Sequence, residues 1–175
     1  MSWQIDPAHS LIEFSVTHMM ISKVRGRFNN FSGLVDFNES QPEKTSVAVE
    51  IEVESIDTRQ QQRDDHLRSA DFFNVADFPK MKFVGTNVHV IDKKHAILNG
   101  DLTIKDITKP VVLNVEYNGI SKSPWGSTSA GFSATAKINR KDWELTWNQT
   151  LETGGVLVGD EISVNIELEL IKQEA

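Results

Sequence analysis

The sequence predicts an all-β protein, an eight-stranded antiparallel β-barrel with one polar α-helix inserted at about residues 58–70. Three observations predict it. Apolar and polar residues alternate with period two through about eight long stretches, so each stretch has one buried and one solvated face. Turn residues separate these stretches. The segment from Asp57 to Phe83 breaks the alternation, with a run of good helix formers and almost no apolar face, leading into an aromatic cluster. Eight antiparallel strands close naturally into a barrel that fills with side chains or holds one small ligand.

In chain order, Trp3 and Ile5 precede a break at Asp6-Pro7, after which Ile12, Phe14, Val16 and His18 share one face. Met19-Met20-Ile21 ends that strand at an apolar corner. Val24, Gly26 and Phe28 open the next strand, which bends at Asn29-Asn30 and resumes through Phe31, Gly33, Val35 and Phe37. A turn around Pro42 leads to Val47, Val49, Ile51 and Val53, alternating with Ala48 and three glutamates. The helix follows. Thr58 and Gln61 fit a capping box, and Phe72, Phe73 and Phe78 form an aromatic plug that closes one end of the barrel. Met81 to Ile91 returns to strand, Asp92-Lys93-Lys94 turns, and His95 to Ile104 pairs back. A turn at Thr108-Lys109-Pro110 precedes Val111 to Tyr117. Ala130 to Ile138 has a mostly small inner face, Asn139 to Gly159 is an irregular loop, and Ile162 to Leu170 is the last strand. Ala130, Ala134, Ala136, Gly33, Gly85 and Gly100 leave inner volume free for a cavity. Two closely packed sheets, or bulges at the glycines, account for the same pattern.

The 175 residues suit one domain over 1–175, with 39% hydrophobic and 25% charged residues. Cysteine is absent, which excludes disulfides, thiolate catalysis and cysteine zinc sites. The net charge of −7, without a Lys/Arg run, disfavours nucleic acid. No apolar run approaches the roughly 18–20 residues of a membrane span. The start, Met1-Ser2-Trp3-Gln4-Ile5-Asp6, has neither a basic nor an apolar signal region, so the expectation is a cytoplasmic protein.

A set of blocks carries a resemblance. They are Trp3-Gln4-Ile5-Asp6-Pro7-Ala8-His9-Ser10, Gly26-x-Phe28 with Phe31-x-Gly33, and Ile56-Asp57-Thr58 leading to Arg63-Asp64-Asp65-His66-Leu67 and Ser69-Ala70-Asp71-Phe72-Phe73. Phe78-Pro79 with Phe83, Gly100-Asp101-Leu102-Thr103-Ile104 and Ile138-Asn139-Arg140-Lys141-Asp142-Trp143 complete the set. In this order and over nearly the whole chain, it resembles the YceI-like family. The resemblance implies a lipocalin-like, extended barrel whose long hydrophobic pore binds a polyisoprenoid, such as an isoprenoid quinone or prenyl phosphate, or another long-chain amphiphile. It also implies a homodimer, and a chain of the family's unsignalled type. Two departures concern loop shape: Glu144 stands where many relatives have Gly, and Lys105-Asp106-Ile107 stands where a Gly-containing turn is common.

A pore needs inward apolar faces, and the candidates are Ile12, Phe14, Val16, Phe28, Val35, Val49, Ile51, Phe83, Leu102, Phe132 and Ala134. Each one singly fits ordinary core packing; the set fits a pore. His18, at the end of an apolar strand face, joins them with Arg63 and Phe72. His18 either meets a ligand head group or is a satisfied rim histidine. Arg63, Asp64 and His66 lie within one helical turn and either fasten the helix to the rim or offer Arg63 to a phosphate or carbonyl. Arg140 and Asp142 read as a similar pair. Phe72 plugs the barrel, touches ligand, or both. An enzyme is the rival class, as a hydrolase using Asp64 and His66. There is no His-Glu-x-x-His or other paired metal motif and no Gly-x-Ser-x-Gly elbow, so the expectation is no catalytic residue, no metal and no cofactor other than bound lipid. A stress-linked scaffold or dimerisation module with a vestigial cavity is the third class.

Overall fold

A computed structural model describes residues 2–173. Met1, Glu174 and Ala175, at the ends of the expected domain, lie outside the described residues. The strands are β1 (Ser2–Ile5), β2 (Leu11–His18), β3 (Ser22–Phe28), β4 (Phe31–Asp36), β5 (Ser46–Glu52), β6 (Ile56–Asp57), β7 (Lys80–Val90), β8 (His95–Ile104), β9 (Ile107–Lys122), β10 (Thr128–Asn139) and β11 (Val158–Lys172). One helix, α1 (Gln61–Arg68), stands between β6 and β7.

These eleven segments make eight staves, because the first three staves are each broken once. β1 and β2 are collinear around a 3-10 turn at Pro7–His9, which Asp6 caps by accepting the Ala8 N–H at 3.0 Å. β1 pairs with β4 and β2 with β3, so β3 and β4 form one stave bent at Asn29-Asn30. β5 and β6 form the third, interrupted at Val53–Ser55. The two interruptions face each other: the Asn29 N–H donates to the Ser55 carbonyl at 3.1 Å and the Asn30 N–H to Ser55 Oγ at 3.0 Å. β7, β8, β9, β10 and β11 follow as hairpin neighbours, and β11 closes the ring on β1 and β2. The result is the expected eight-stranded closed antiparallel barrel.

Beyond Glu52 the third stave has no strand on its outer side, since β7 pairs with β5 only. Such an edge must be covered. α1 does this with little apolar surface. Arg68 donates from Nε to the Glu54 carbonyl at 3.0 Å and from Nη2 to the Ile56 carbonyl at 3.1 Å.

Several expectations are corrected here. The helix spans Gln61–Arg68 rather than 58–70, and Thr58 is not its cap. Gln60 holds the N-cap position without a side-chain bond, and Arg59 before it is left-handed at φ 66°. Thr58 instead turns inward, 3% exposed, and gives both its N–H and its hydroxyl to Asp64 Oδ1, at 2.9 and 2.5 Å. A buried carboxylate is the stronger acceptor, so it takes the threonine from the helix terminus. The turn before β9 falls at the left-handed pair Lys105-Asp106, not at Thr108-Lys109-Pro110. Pro110 is tolerated in the strand, paired with Asp101, because β10 joins β9 only from Asn114 onwards. Phe78 is half-buried but does not line the interior, so the plug is Phe72 and Phe73 without it. The glycines do not open volume either: a Cβ on Gly100 would meet the Phe83 ring at 2.3 Å, and one on Gly33 would meet Ile5 at 2.8 Å. They are seats for neighbouring side chains.

Candidate functional site

The barrel encloses a cavity of about 1250 Å³ running from one end to the other. At roughly 30 Å³ per water this is about forty waters' worth of space. That is far beyond a packing defect and above the ~300–1,000 Å³ of ordinary ligand pockets. Alternation builds the wall. β2 turns Ile12, Phe14, Val16 and His18 inward; β3 adds Phe28, β4 Val35, β5 Val49 and Ile51, β7 Phe83, β8 Leu102, and β10 Phe132 and Ala134. Arg63 on α1 and Phe72 after it complete the candidates from the sequence, and all of them line this one cavity. Of the small residues, Ala134 and Ala136 line it and Ala130 does not.

Other lining residues share the same inward parity on strands whose alternation is plain: Val111, Leu113, Val115 and Tyr117 on β9, and Val164, Ile166 and Leu168 on β11. Leu145, Trp147 and Leu157 also line it, from the loop between β10 and β11. That loop has no periodicity, so no sequence signal marked them.

Polar groups stand at the two ends. At the helix end, Arg63 donates from Nε to Thr58 Oγ1 at 2.8 Å and from Nη2 to the Thr58 carbonyl at 2.7 Å. Among the described residues its Nη1 has no partner, and the His18 ring forms no hydrogen bond or ion pair. Both line the mouth with Gln62 and Thr17. The expected Arg63–Asp64–His66 cluster is therefore looser than a mutual ion pair. Thr58 joins Arg63 to Asp64, while His66 turns to Asp71, Nε2 to Oδ2 at 2.9 Å. The His66 ring also packs edge-on against Trp147 and Phe72, with centroids 4.6 and 5.1 Å away.

Arg140 holds the loop that closes this end. Its side chain is 3% exposed and donates to the carbonyls of Gly159 at 2.8 Å, Trp147 at 3.0 Å, Val158 at 3.4 Å, and Leu145. Asp160, at 3.8 Å, is its nearest acidic partner, in place of the expected Asp142. The carbonyls accept its hydrogens in directions that no acid two residues away reaches. Burial lowers the guanidinium pKa and Asp160 raises it. Trp143, 1% exposed, donates Nε1 to the Leu102 carbonyl at 3.0 Å beneath this loop.

At the opposite end Phe37, Tyr117 and Phe132 form an aromatic triangle with centroids 5.2–5.6 Å apart. The Tyr117 hydroxyl donates to Glu39. Desolvation, then that hydrogen bond and the Glu39 charge, hold the phenol pKa above its ordinary value. The Asp92–His95 turn rims this end. Asp92 accepts the Lys94 N–H at 2.8 Å, and this bond, with one from the His95 ring, lowers its pKa. A third group, Asp6, His9 and Glu169, gathers on the wall away from the cavity lining. His9 Nδ1 lies 2.7 Å from Asp6 Oδ2, and this contact, ahead of the Glu169 charge, raises the His9 pKa.

Among the described residues no helix is long and apolar enough to cross a membrane. The model of the YceI-like domain matches residues 3–170. A UPF0312 protein of Staphylococcus aureus is 38% identical over 169 residues, covering 96% of each chain. In structure, the chain is similar to the Campylobacter jejuni YCEI protein, with a TM-score of 0.79 at 34% identity over 90% of each chain. A polyisoprenoid binding domain from Saccharophagus degradans, implicated in plant cell wall breakdown, has the same fold. Its TM-score is 0.68 at 13% identity, covering 96% of this chain and 97% of that one. The domain match over residues 3–170, with 38% identity to a relative over 96% of each chain, has one conclusion: this chain belongs to the YceI-like family.

Proposed function

We propose that the chain is a non-catalytic carrier, one domain that holds a long-chain amphiphile in the barrel. The preferred ligand is a polyisoprenoid, either an isoprenoid quinone or a prenyl phosphate. The observation that carries this is the continuous apolar wall of a cavity of about 1250 Å³. Each buried CH₂ contributes about 0.8 kcal/mol, so about five to twenty buried carbons offset an association cost of roughly 4–15 kcal/mol without a catalytic group. The polyisoprenoid binding domain of the same fold supports the ligand class. The fourteen candidates, from Ile12 to Ala134, with His18, Arg63 and Phe72, are the proposed contacts. Arg63 Nη1 and the His18 ring take the head group, and Phe72 both plugs the end and meets the chain.

A hydrolase using Asp64 and His66 is disfavoured, because Asp64 Oδ1 is committed to Thr58 and Asp64 does not line the cavity. A homodimer fits the outer wall, where Leu34, Ala48 and Val84 lie side by side across β4, β5 and β7, with Leu34 57% and Val84 51% exposed. The net charge of −7 keeps nucleic acid out of the proposal.

Native mass spectrometry of the purified protein, followed by organic extraction and lipid mass analysis, tests the reading. A co-purifying isoprenoid mass is expected. A bare mass that persists after incubation with quinones and prenyl phosphates overturns it and leaves the scaffold reading.

A further inference from the structure

The β2–β3 hairpin ends in three consecutive large apolar residues, Met19, Met20 and Ile21, which are 43%, 62% and 84% exposed. Val156, in the loop beside them, is 44% exposed. Isolated exposed apolar residues are ordinary, whereas a contiguous cluster marks an interaction site. The backbone sharpens the point. Met19 and Met20 are both left-handed, at φ 52° and 63°, between His18 and the Ile21 N–H that closes the turn at 3.2 Å. Hairpins give these two positions to Asn and Gly. Methionine neither suits this backbone nor joins the core here; Met20 only rests its sulfur over Gly155.

Charge surrounds the tip in a definite way. On β3 the exposed charged residues are Lys23, Arg25 and Arg27, while Val24 and Phe28, on the opposite face, line the cavity. No Asp or Glu stands between Glu13 and Asp36, in a chain of net charge −7. The hairpin is thus a basic arm on an acidic protein, with an apolar point.

We propose that this hairpin docks the protein onto an anionic lipid bilayer. The apolar point sinks to the boundary between headgroups and acyl chains, and the cations behind it stay at the lipid phosphates. Continuity with the cavity selects a bilayer over a second copy of the chain. Val16, Thr17, His18 and Val24 of the same hairpin form one rim of the mouth, across from Gln62 and Arg63. A second copy seated on the tip would cover that mouth, whereas a bilayer opens it to lipid. The purpose of the docking rests on the carrier reading; the surface itself does not.

Flotation of the full chain with vesicles tests this, using phosphatidylcholine alone and phosphatidylcholine mixed with phosphatidylglycerol. Binding to the mixed vesicles is expected, falling with salt and on neutral vesicles. Met20→Asn with Ile21→Ser, in which Asn suits the left-handed backbone, weakens partitioning by at least about tenfold without lowering the thermal unfolding temperature. Lys23→Gln and Arg25→Gln each weaken it roughly fivefold. Trp125→Ser, at the opposite end and 91% exposed, leaves it unchanged. No binding by the unaltered chain, or loss through Trp125→Ser instead of the hairpin, overturns the proposal. So does a hairpin-dependent dimer in place of vesicle binding. Lipid content measured on the same samples separates this outcome from failure of the carrier reading, since vesicle binding by a permanently empty barrel would refute only the latter.

Discussion

The two ends of the barrel are built by different means. Among the described residues, the seven left-handed non-glycine residues, Met19, Met20, Arg59, Asn74, Lys105, Asp106 and Glu144, lie at the helix end. The buried polar side chains Thr58, Asp64 and Arg140 lie there too. At the other end the left-handed positions are Gly119 and Gly126, and an aromatic collar of Trp3, Phe37, Tyr117 and Phe132 replaces the polar web. One end is held by directional hydrogen bonds under backbone strain, the other by packing over relaxed turns. Strain of this kind persists where the surroundings over-determine it, and it clusters at functional sites. Among the described residues, the free Nη1 of Arg63, the unpartnered His18 ring and the apolar hairpin tip all sit at the strained end.

The largest expected effect sharpens this contrast. Arg140→Met leaves four carbonyls without their donor and should cost about 3–5 kcal/mol. The counterpart at the relaxed end is Trp3→Phe. It deletes one bond from Nε1 to the Phe37 carbonyl, 3.1 Å long, and should cost about 1–2 kcal/mol. Urea unfolding of both variants measures the difference, and equal costs would remove the distinction.

An effect of opposite sign comes next. Lys105→Asn with Asp106→Gly places the residues that a left-handed pair favours, and should stabilise the protein by about 1 kcal/mol, or roughly 2–4 °C in Tm. Glu144→Gly should act likewise at φ 58°. At all three positions the backbone holds a conformation that glycine adopts without strain while a non-glycine side chain occupies it. An unaltered Tm would mean that the strain is already relieved locally.

The smallest effect belongs to the relaxed end. Tyr117 is the chain's one tyrosine, so the alkaline tyrosinate absorbance reports it alone. Its midpoint should lie above the ordinary value of about 10 and fall towards it in Glu39→Gln. The sign follows from linkage. A pKa raised by folding means that the native state keeps its proton longer than the unfolded chain. The stabilisation is therefore complete below the unfolded pKa of about 10 and is lost as pH rises through the folded value. Tyr117→Phe should abolish that alkaline loss, and an ordinary midpoint in the unaltered chain would show that the collar does not desolvate the phenol.

Local chemistry in the sequence determined the staves, their inward faces and the polar character of the helix. Side chains alternate across a strand whatever its neighbours are, so Ile12, Phe14 and Val16, or Phe132 and Ala134, declare a common face without a fold. It also determined the break at Asp6-Pro7, the bend at Asn29-Asn30 and the Asp92 turn, each set by residues within a few positions. Only the tertiary structure decided the rest. Closure joins β11 to β1 and β2 across most of the chain's length. Whether the interior is full or open depends on the circumference of the closed ring against the summed volume of its inward side chains, which no single strand encodes. The partners of Thr58, Asp64 and Arg140 were hidden for the same reason. A buried donor or charge bonds to whatever the fold brings within 3 Å, and for Arg140 those were the carbonyls of Leu145, Trp147, Val158 and Gly159 rather than the acid two residues away.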